Sequence, residues 1–267
     1  MATDPDILDI ANSSGFPLQI AVEHLVRNDP ENFWRIRHIE HAWKSPSDDL
    51  GGFIDLVIED AHGASILVFE CKRVRDSSWV FLRSDGAYKN RSWCMSWVSS
   101  YIGGKFKCFG WGNVPVDPAS PEAVFCAVRG QPASGSRPML ERVAGELVAA
   151  TEALALDEKD FRPKNSDSVR FYFSFLVTTA TLHLCEFTPG QIAISDGTLP
   201  DAKFTEVPYL RFRKQLSLRA QPLTPEHFDE HRPLTSNEHT VFVVNILGLT
   251  KFLKEFDLPQ RSTSPYV

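Results

Sequence analysis

No stretch of the 267 residues approaches the ~18 uninterrupted apolar positions that a membrane-spanning helix needs, so no membrane partner is expected. Cysteines are few and poorly spaced for structural work. Cys71, Cys94, Cys108, Cys126 and Cys185 are odd in number and form no CxxC pair, which argues against a disulfide framework and a structural zinc site. Cys71, Cys126 and Cys185 lie in apolar runs and read as small buried hydrophobes in a reducing compartment. The chain lacks a phosphate-cradling GxxxxGKS/T loop and a dinucleotide-binding glycine fingerprint, which disfavours ATP-driven or nicotinamide chemistry. Internal repeats, low-complexity blocks and linkers are also missing, and one domain over 1–267 is preferred. The acidic, polar opening MATDPDILDIANSSG has neither the basic start nor the apolar stretch of a signal peptide, so a cytoplasmic location is expected.

What remains is an ordinary globular composition, 43% hydrophobic and 23% charged, sufficient for a real core. A net charge of −6 should repel phosphate, but the charge is unevenly spread. Residues 72–137 hold ten Lys/Arg against four Asp/Glu, so a local basic surface on an acidic chain is expected, with a mixed solvated surface as the plain alternative. Four of the six tryptophans (Trp79, Trp93, Trp97, Trp111) fall in the same region, interleaved with Arg83, Lys89, Arg91, Lys105 and Lys107. Aromatics beside basic groups suit stacking on unpaired bases. Buried tryptophans mostly pack cores, and that is the first expectation here.

Periodicity predicts a helix over 15–27, with Ser13 or Ser14 as candidate caps, and a strand over 33–43. Strands follow at 53–58 and 64–72 around the turn EDAHG. A short strand is expected at 123–128, a helix at 137–156, and strands at 169–180 and 181–187. Weaker strand signals at 209–212 precede a strand–helix pair at 240–245 and 247–256, and both termini, 1–12 and 258–267, look frayed.

The chemistry concentrates in GGFIDLVIEDAHGASILVFECK, residues 51–72. Alternation places Phe53, Asp55 and Val57 on one face, and Ile54, Leu56 and Ile58 on the other. Both faces are apolar, the mark of a strand covered on both sides. In the next strand Ile66, Val68, Glu70 and Lys72 share a face. Charged groups in such strands are costly unless they pair or bind an ion. With the turn centred near residue 62, an antiparallel hairpin sets Asp55 opposite Glu70 or Val68, within reach of one cation in either register. A hard dication such as Mg²⁺ relieves repulsion between two such carboxylates. Lys72 can then orient or help deprotonate an attacking water, or steady developing phosphate charge. A buried ion pair of Glu70 with Lys72 or Arg73, with Asp55 at a turn, is the alternative.

Ile54-Asp55 followed by Glu70-Cys71-Lys72, in the order helix, three strands, helix, strand, resembles the PD-(D/E)xK, or restriction-endonuclease-like, nuclease superfamily. The resemblance implies an α/β fold, a central mixed β-sheet flanked by helices in αβββαβ order. It covers about residues 15–187, with a basic, Trp-rich insertion at about 75–120 and a C-terminal extension, 188–267. It also implies Mg²⁺-dependent cleavage of nucleic acid, with Asp55 and Glu70 as metal ligands, Lys72 catalytic, and Mn²⁺ able to substitute. In many members an acid on the first helix completes the site, and Glu23 occupies that place. Ile54 stands where the family name has proline.

The leading expectation is therefore a metal-dependent nuclease acting on DNA in preference to RNA, in bacterial restriction, defence or repair. The alternative is a catalytically silent nuclease-like fold that binds nucleic acid or a partner protein; a homo-oligomer or partnered assembly is a further expectation. Other candidates read more simply. The pairs His38/His41 and His227/His231 have passable ligand spacing but nothing to complete them, and are expected at the surface. Arg129 or Gln131 could approach the site from a turn, and Glu141 suits a helix start.

Overall fold

The computed structural model describes residues 5–31, 33–45, 49–75, 77–84, 90–128, 138–159, 167–216 and 238–259. Two helices open the chain, α1 (Pro5–Ser13) and α2 (Phe16–Arg27), so most of the segment expected to fray is helical. Ser13 and Ser14 turn their hydroxyls back onto the carbonyls of Ile10 and Ala11, at 2.8 and 2.7 Å, and thereby end α1. Neither caps α2. That helix starts from Gly15, whose φ of 85° suits a residue without a Cβ.

Strands β1 (Trp34–Lys44), β2 (Gly51–Asp60) and β3 (Ser65–Lys72) then form an antiparallel meander. The β2–β3 turn is held by Asp60, whose carboxylate accepts the N–H groups of His62, Ala64 and Ser65 at 2.8–2.9 Å. That clamp sets Leu56 opposite Phe69 and Val57 opposite Val68. Next come β4 (Ser78–Ser84), the long hairpin β5 (Arg91–Ile102) and β6 (Lys105–Ser120), and the short β7 (Glu122–Ala123) and β8 (Phe125–Val128). Helix α3 (Met139–Asp157) leads into β9 (Ser168–Thr178), which lies parallel to β3 along its length. β10 (Thr181–Phe187) and β11 (Lys203–Glu206) join β4 and β8 in a second, smaller sheet.

The C-terminal segment supplies β12 (Tyr209–Gln215), β13 (Glu238–Asn245) and α4 (Ile246–Glu255). β13 runs parallel beside β9, so this segment extends the main sheet, ordered β1-β2-β3-β9-β13-β12-β7. The fold is thus α/β, with a mixed sheet flanked by helices. No helix among the described residues is long and apolar enough to cross a membrane.

Two apolar layers sandwich the main sheet. On one side α2 and α4 pack Leu18, Val22, Leu249 and Phe252 against Leu56, Phe69 and Phe175. On the other, α3 and the smaller sheet pack Leu147, Leu154, Trp79 and Phe81 against Val57, Val68 and Leu176. Trp79, Trp97 and Trp111 are core residues at 0%, 4% and 5% exposure, whereas Trp93 is 50% exposed. The β5–β6 hairpin pairs with the start of β9, Tyr101 opposite Ser168, whereas Glu70 and Lys72 lie against Leu176 and Thr178 near its other end. Lys105 at the hairpin tip is therefore far along the sheet from those residues. Arg83 and Arg91 are ion-paired with Glu186 and Glu122.

Phe175 stacks between Phe69 and Phe242, with ring centroids 5.3 and 4.8 Å away, at the centre of the α4-side layer. Phe175→Ala should cost roughly 3–5 kcal/mol of unfolding free energy through cavity formation. Urea denaturation checks this against Trp93→Ala, which should change stability by no more than about 0.5 kcal/mol.

Candidate active site

The β2–β3 ladder ends at Leu56–Phe69; one further step in the same register sets Asp55 across from Glu70. The β1–β2 ladder skips Asp55 as well, passing from Ile39–Leu56 to His41–Ile54. Glu40, the residue left across from Asp55, has a φ of 52°, left-handed backbone that a glutamate adopts only under local constraint. The strand is thus irregular at Asp55, and its side chain replaces a ladder bond: Oδ2 accepts the Cys71 N–H at 2.6 Å. Strict alternation consequently fails there. Ile54, expected on the face of Leu56 and Ile58, packs instead with Val57 in the layer beneath α3.

Burial governs the electrostatics. It is the main cause lifting the Asp55 carboxyl to about 6; the Cys71 N–H pulls the other way, Glu40 adds to the rise and Lys72 opposes it. Burial likewise lifts Glu70 to about 7, with the Asp55 charge next in weight and Lys72 opposing. The Asp55 charge therefore bears on Glu70, with Lys72 close enough to offset both. Lys72 is anchored through its carbonyl, which accepts the Thr178 hydroxyl at 2.8 Å. It forms no ion pair among the described residues, and Arg73 donates to the Asn12 carbonyl, so neither makes the salt bridge with Glu70 that was the alternative.

Glu23 is not brought to this group. It pairs along α2 with Arg27 at 2.7 Å, and its charge is not among those acting on Asp55 or Glu70. One helical turn earlier, Gln19 faces the site, its Nε2 donating to Glu40 Oε1 at 2.6 Å and to the Asp55 carbonyl at 3.1 Å. The first helix supplies an amide, and Glu40 of β1 adds its charge to that acting on Asp55. Both residues escaped the sequence reading, although carrying the antiparallel register one strand further from Asp55 points to Glu40.

Beside Glu70 a cleft of about 230 Å³ opens between the start of β2 and α3, with Glu146 on its wall. The remaining candidates lie elsewhere. His38 and His41 are partly buried rather than exposed, with rings 4.6 Å apart. Burial lowers the His38 pKa first, followed by His41 and Arg37. Nearby Glu59 and Glu158 are already held by Arg37 at 3.1 and 2.8 Å. Glu141 is ion-paired with Lys214. Arg129, Gln131, His227 and His231 lie outside the described residues.

Among the described residues no three His, Cys, Asp or Glu side chains are arranged to hold a metal ion. Asp55 and Glu70 still offer two hard oxygen donors that gain from a positive charge. That set suits Mg²⁺, which commonly takes one or two carboxylates and completes its octahedron with water and phosphate oxygens. No family model matches the chain, and no curated protein or solved structure proves similar to it.

Both carboxyls hold protons more tightly in the folded than in the unfolded chain, so their ionisation opposes folding. Their contribution to stability is greatest below their unfolded pKa values and is lost as pH rises from about 4 through about 7. The loss is at most roughly 3 kcal/mol for each group. Asp55→Asn should flatten this part of the stability profile and make the metal-free protein more stable than wild type near pH 8, as read by thermal melts across pH. Added Mg²⁺ should raise the wild-type Tm at that pH and leave the variant's unchanged.

Proposed function

We propose that the chain is a Mg²⁺-dependent nuclease hydrolysing phosphodiester bonds, DNA in preference to RNA. What supports it is a register that, carried one step past the end of the β2–β3 ladder, sets Asp55 across from Glu70, with the Asp55 charge bearing on Glu70 and the Lys72 charge on both. The element order supports it too. α2, the β1–β2–β3 meander, α3 and β9 follow the order helix, three strands, helix, strand that the restriction-endonuclease-like resemblance implies, with β4 to β8 intervening before α3. The preference for DNA comes from that resemblance, as does a role in restriction, defence or repair.

A Mg²⁺ ion held by Asp55 and Glu70 supplies Lewis-acid polarisation and positive charge beside a phosphate. The chain does the rest. The Cys71 N–H and Gln19 fix Asp55 through its carboxylate and its carbonyl, so that the donor pair is set before substrate arrives. Lys72 lies on the Glu70 side of β3 and is placed to orient the attacking water or to stabilise charge on the phosphoryl oxygens. Burial of the pair excludes competing water and strengthens each of these interactions.

The second reading, a catalytically silent fold that binds nucleic acid or a partner, draws on Gln19 standing where the resemblance implies an acid on the first helix. Mg²⁺ or Mn²⁺ titration by calorimetry separates the two, because a scaffold without a metal site takes up neither ion specifically.

Cleavage panels with Mg²⁺ or Mn²⁺ on plasmid, linear and single-stranded DNA and on RNA test the main reading. Asp55→Ala and Glu70→Ala should abolish cleavage with the circular dichroism spectrum unchanged. Lys72→Ala should retain metal binding and lose about 10²–10⁴-fold in rate. Variants as active as wild type would reject the assignment.

A further inference from the structure

The cleft beside Glu70 has properties that hydrolysis alone does not require. Its volume of about 230 Å³ has room for one nucleobase and is far too small for a duplex. Its walls combine aromatic rings, Trp43 and Phe53, with the carboxylates of Glu70 and Glu146. Phe53 is 62% exposed at the rim, while Trp43 is almost wholly covered and forms part of the wall. Glu146 extends from α3, where it shares its charge with Arg142 at 3.1 Å, and the charges of both reach Glu70. The cleft and the candidate metal ligands therefore share a residue, and a group seated in the cleft lies next to the phosphate that Asp55 and Glu70 would address.

The chemistry of the walls selects the occupant. A phosphate is repelled by two carboxylates, and an aliphatic group offers them no donor beyond the Arg142 that Glu146 already holds. A flat ring with an exocyclic amine satisfies both requirements, stacking on exposed Phe53 while its N–H₂ donates to Glu146. Cytosine meets these terms through N4, which carboxylates accept from. Thymine offers acceptors at both carbonyls and fits less well.

We infer that the cleft is a subsite for one unpaired, amino-bearing base, cytosine foremost, flanking the scissile phosphate. The substrate is accordingly single-stranded or locally opened nucleic acid. This inference rests on the nuclease reading for its position in the reaction, but base binding can be measured without turnover.

The test uses the full chain carrying Lys72→Ala, with Mg²⁺, and fluorescence anisotropy of three labelled probes: oligo-dC, oligo-dT and a blunt duplex of equal length. The expected order of affinity is oligo-dC, then oligo-dT, then duplex. Adding Phe53→Ala should weaken oligo-dC roughly tenfold through lost stacking. Adding Glu146→Ala should bring oligo-dC down to the oligo-dT level. Both sites are exposed, so folding is not at issue, and thermal melts confirm it. Duplex bound as tightly as single strands, or oligo-dC affinity indifferent to both substitutions, would overturn the subsite. A wild-type protein that cuts duplex while its cleft variants bind normally leaves the nuclease and removes the subsite. One that selects oligo-dC through Phe53 and Glu146 yet cuts nothing keeps the subsite and removes the nuclease.

Discussion

Two half-buried carboxylates that strand register sets across from each other are an expensive arrangement, and much of the local structure around Asp55 bears on it. An ordinary antiparallel ladder would turn Asp55 fully to one face and let β2 and β3 close through backbone bonds. Instead the ladder stops at Leu56–Phe69, and the Asp55 carboxylate takes the Cys71 N–H that a strand carbonyl would otherwise meet. The chain exchanges a backbone bond for a charge-assisted one, which is roughly twice as strong and leaves the second carboxylate oxygen available. Glu40 on the neighbouring strand shares the distortion through its left-handed backbone, and Gln19 bridges the two. Removing the irregularity would remove the pair.

Such a site needs a rigid frame. β3 pairs with β9 along its whole length, so Glu70 is held from that edge although the β2 ladder has already ended. The Asp60 clamp sets the hairpin register; a slip of one residue would take Asp55 out of register with Glu70. Behind the sheet, Phe69, Phe175, Phe242 and Phe252 interlock as stacked and edge-on rings, which lock rotamers on the layer that backs the site. α3 closes the other layer, with Thr151 hydrogen-bonded to Ser174 of β9 at 2.9 Å.

The strands that carry the pair were legible because they are short, apolar on both faces and joined by turn residues; the predicted spans of β1, β2 and β3 lie within a few residues of the observed ones. Asp55, Glu70 and Lys72 stood out for the same reason, as charges in places where charges are costly. Glu40 and Gln19 did not. Glu40 sits among polar residues of a half-exposed strand, and its importance depends on a cross-strand neighbour that alternation within its own strand cannot reveal. Glu23 lies one helical turn beyond the residue that faces Asp55: it pairs with Arg27, and the preceding turn of α2 points Gln19 inward. Packing is the first expectation for the tryptophans of the insertion, but composition does not say which of them it buries. Three are core because β4 and the β5–β6 hairpin bury them, a tertiary fact that composition does not carry.

The distribution of charge has a consequence for the proposed chemistry. The carboxylates on the cleft wall are Glu70 and Glu146, the latter paired with Arg142, and the Asp55 charge bears on Glu70, while Lys105 lies at the far end of the sheet and Arg83 and Arg91 are neutralised by Glu186 and Glu122. A bare protein with that cleft repels a phosphodiester, whatever its net charge elsewhere. A dication between Asp55 and Glu70 reverses the local sign, so it would admit the substrate as well as activate it. On the proposed function, metal and nucleic acid should therefore bind with strong positive coupling, each lowering the other's dissociation constant by the same factor. A site that only used the ion to stabilise its fold would have no reason to show that reciprocity.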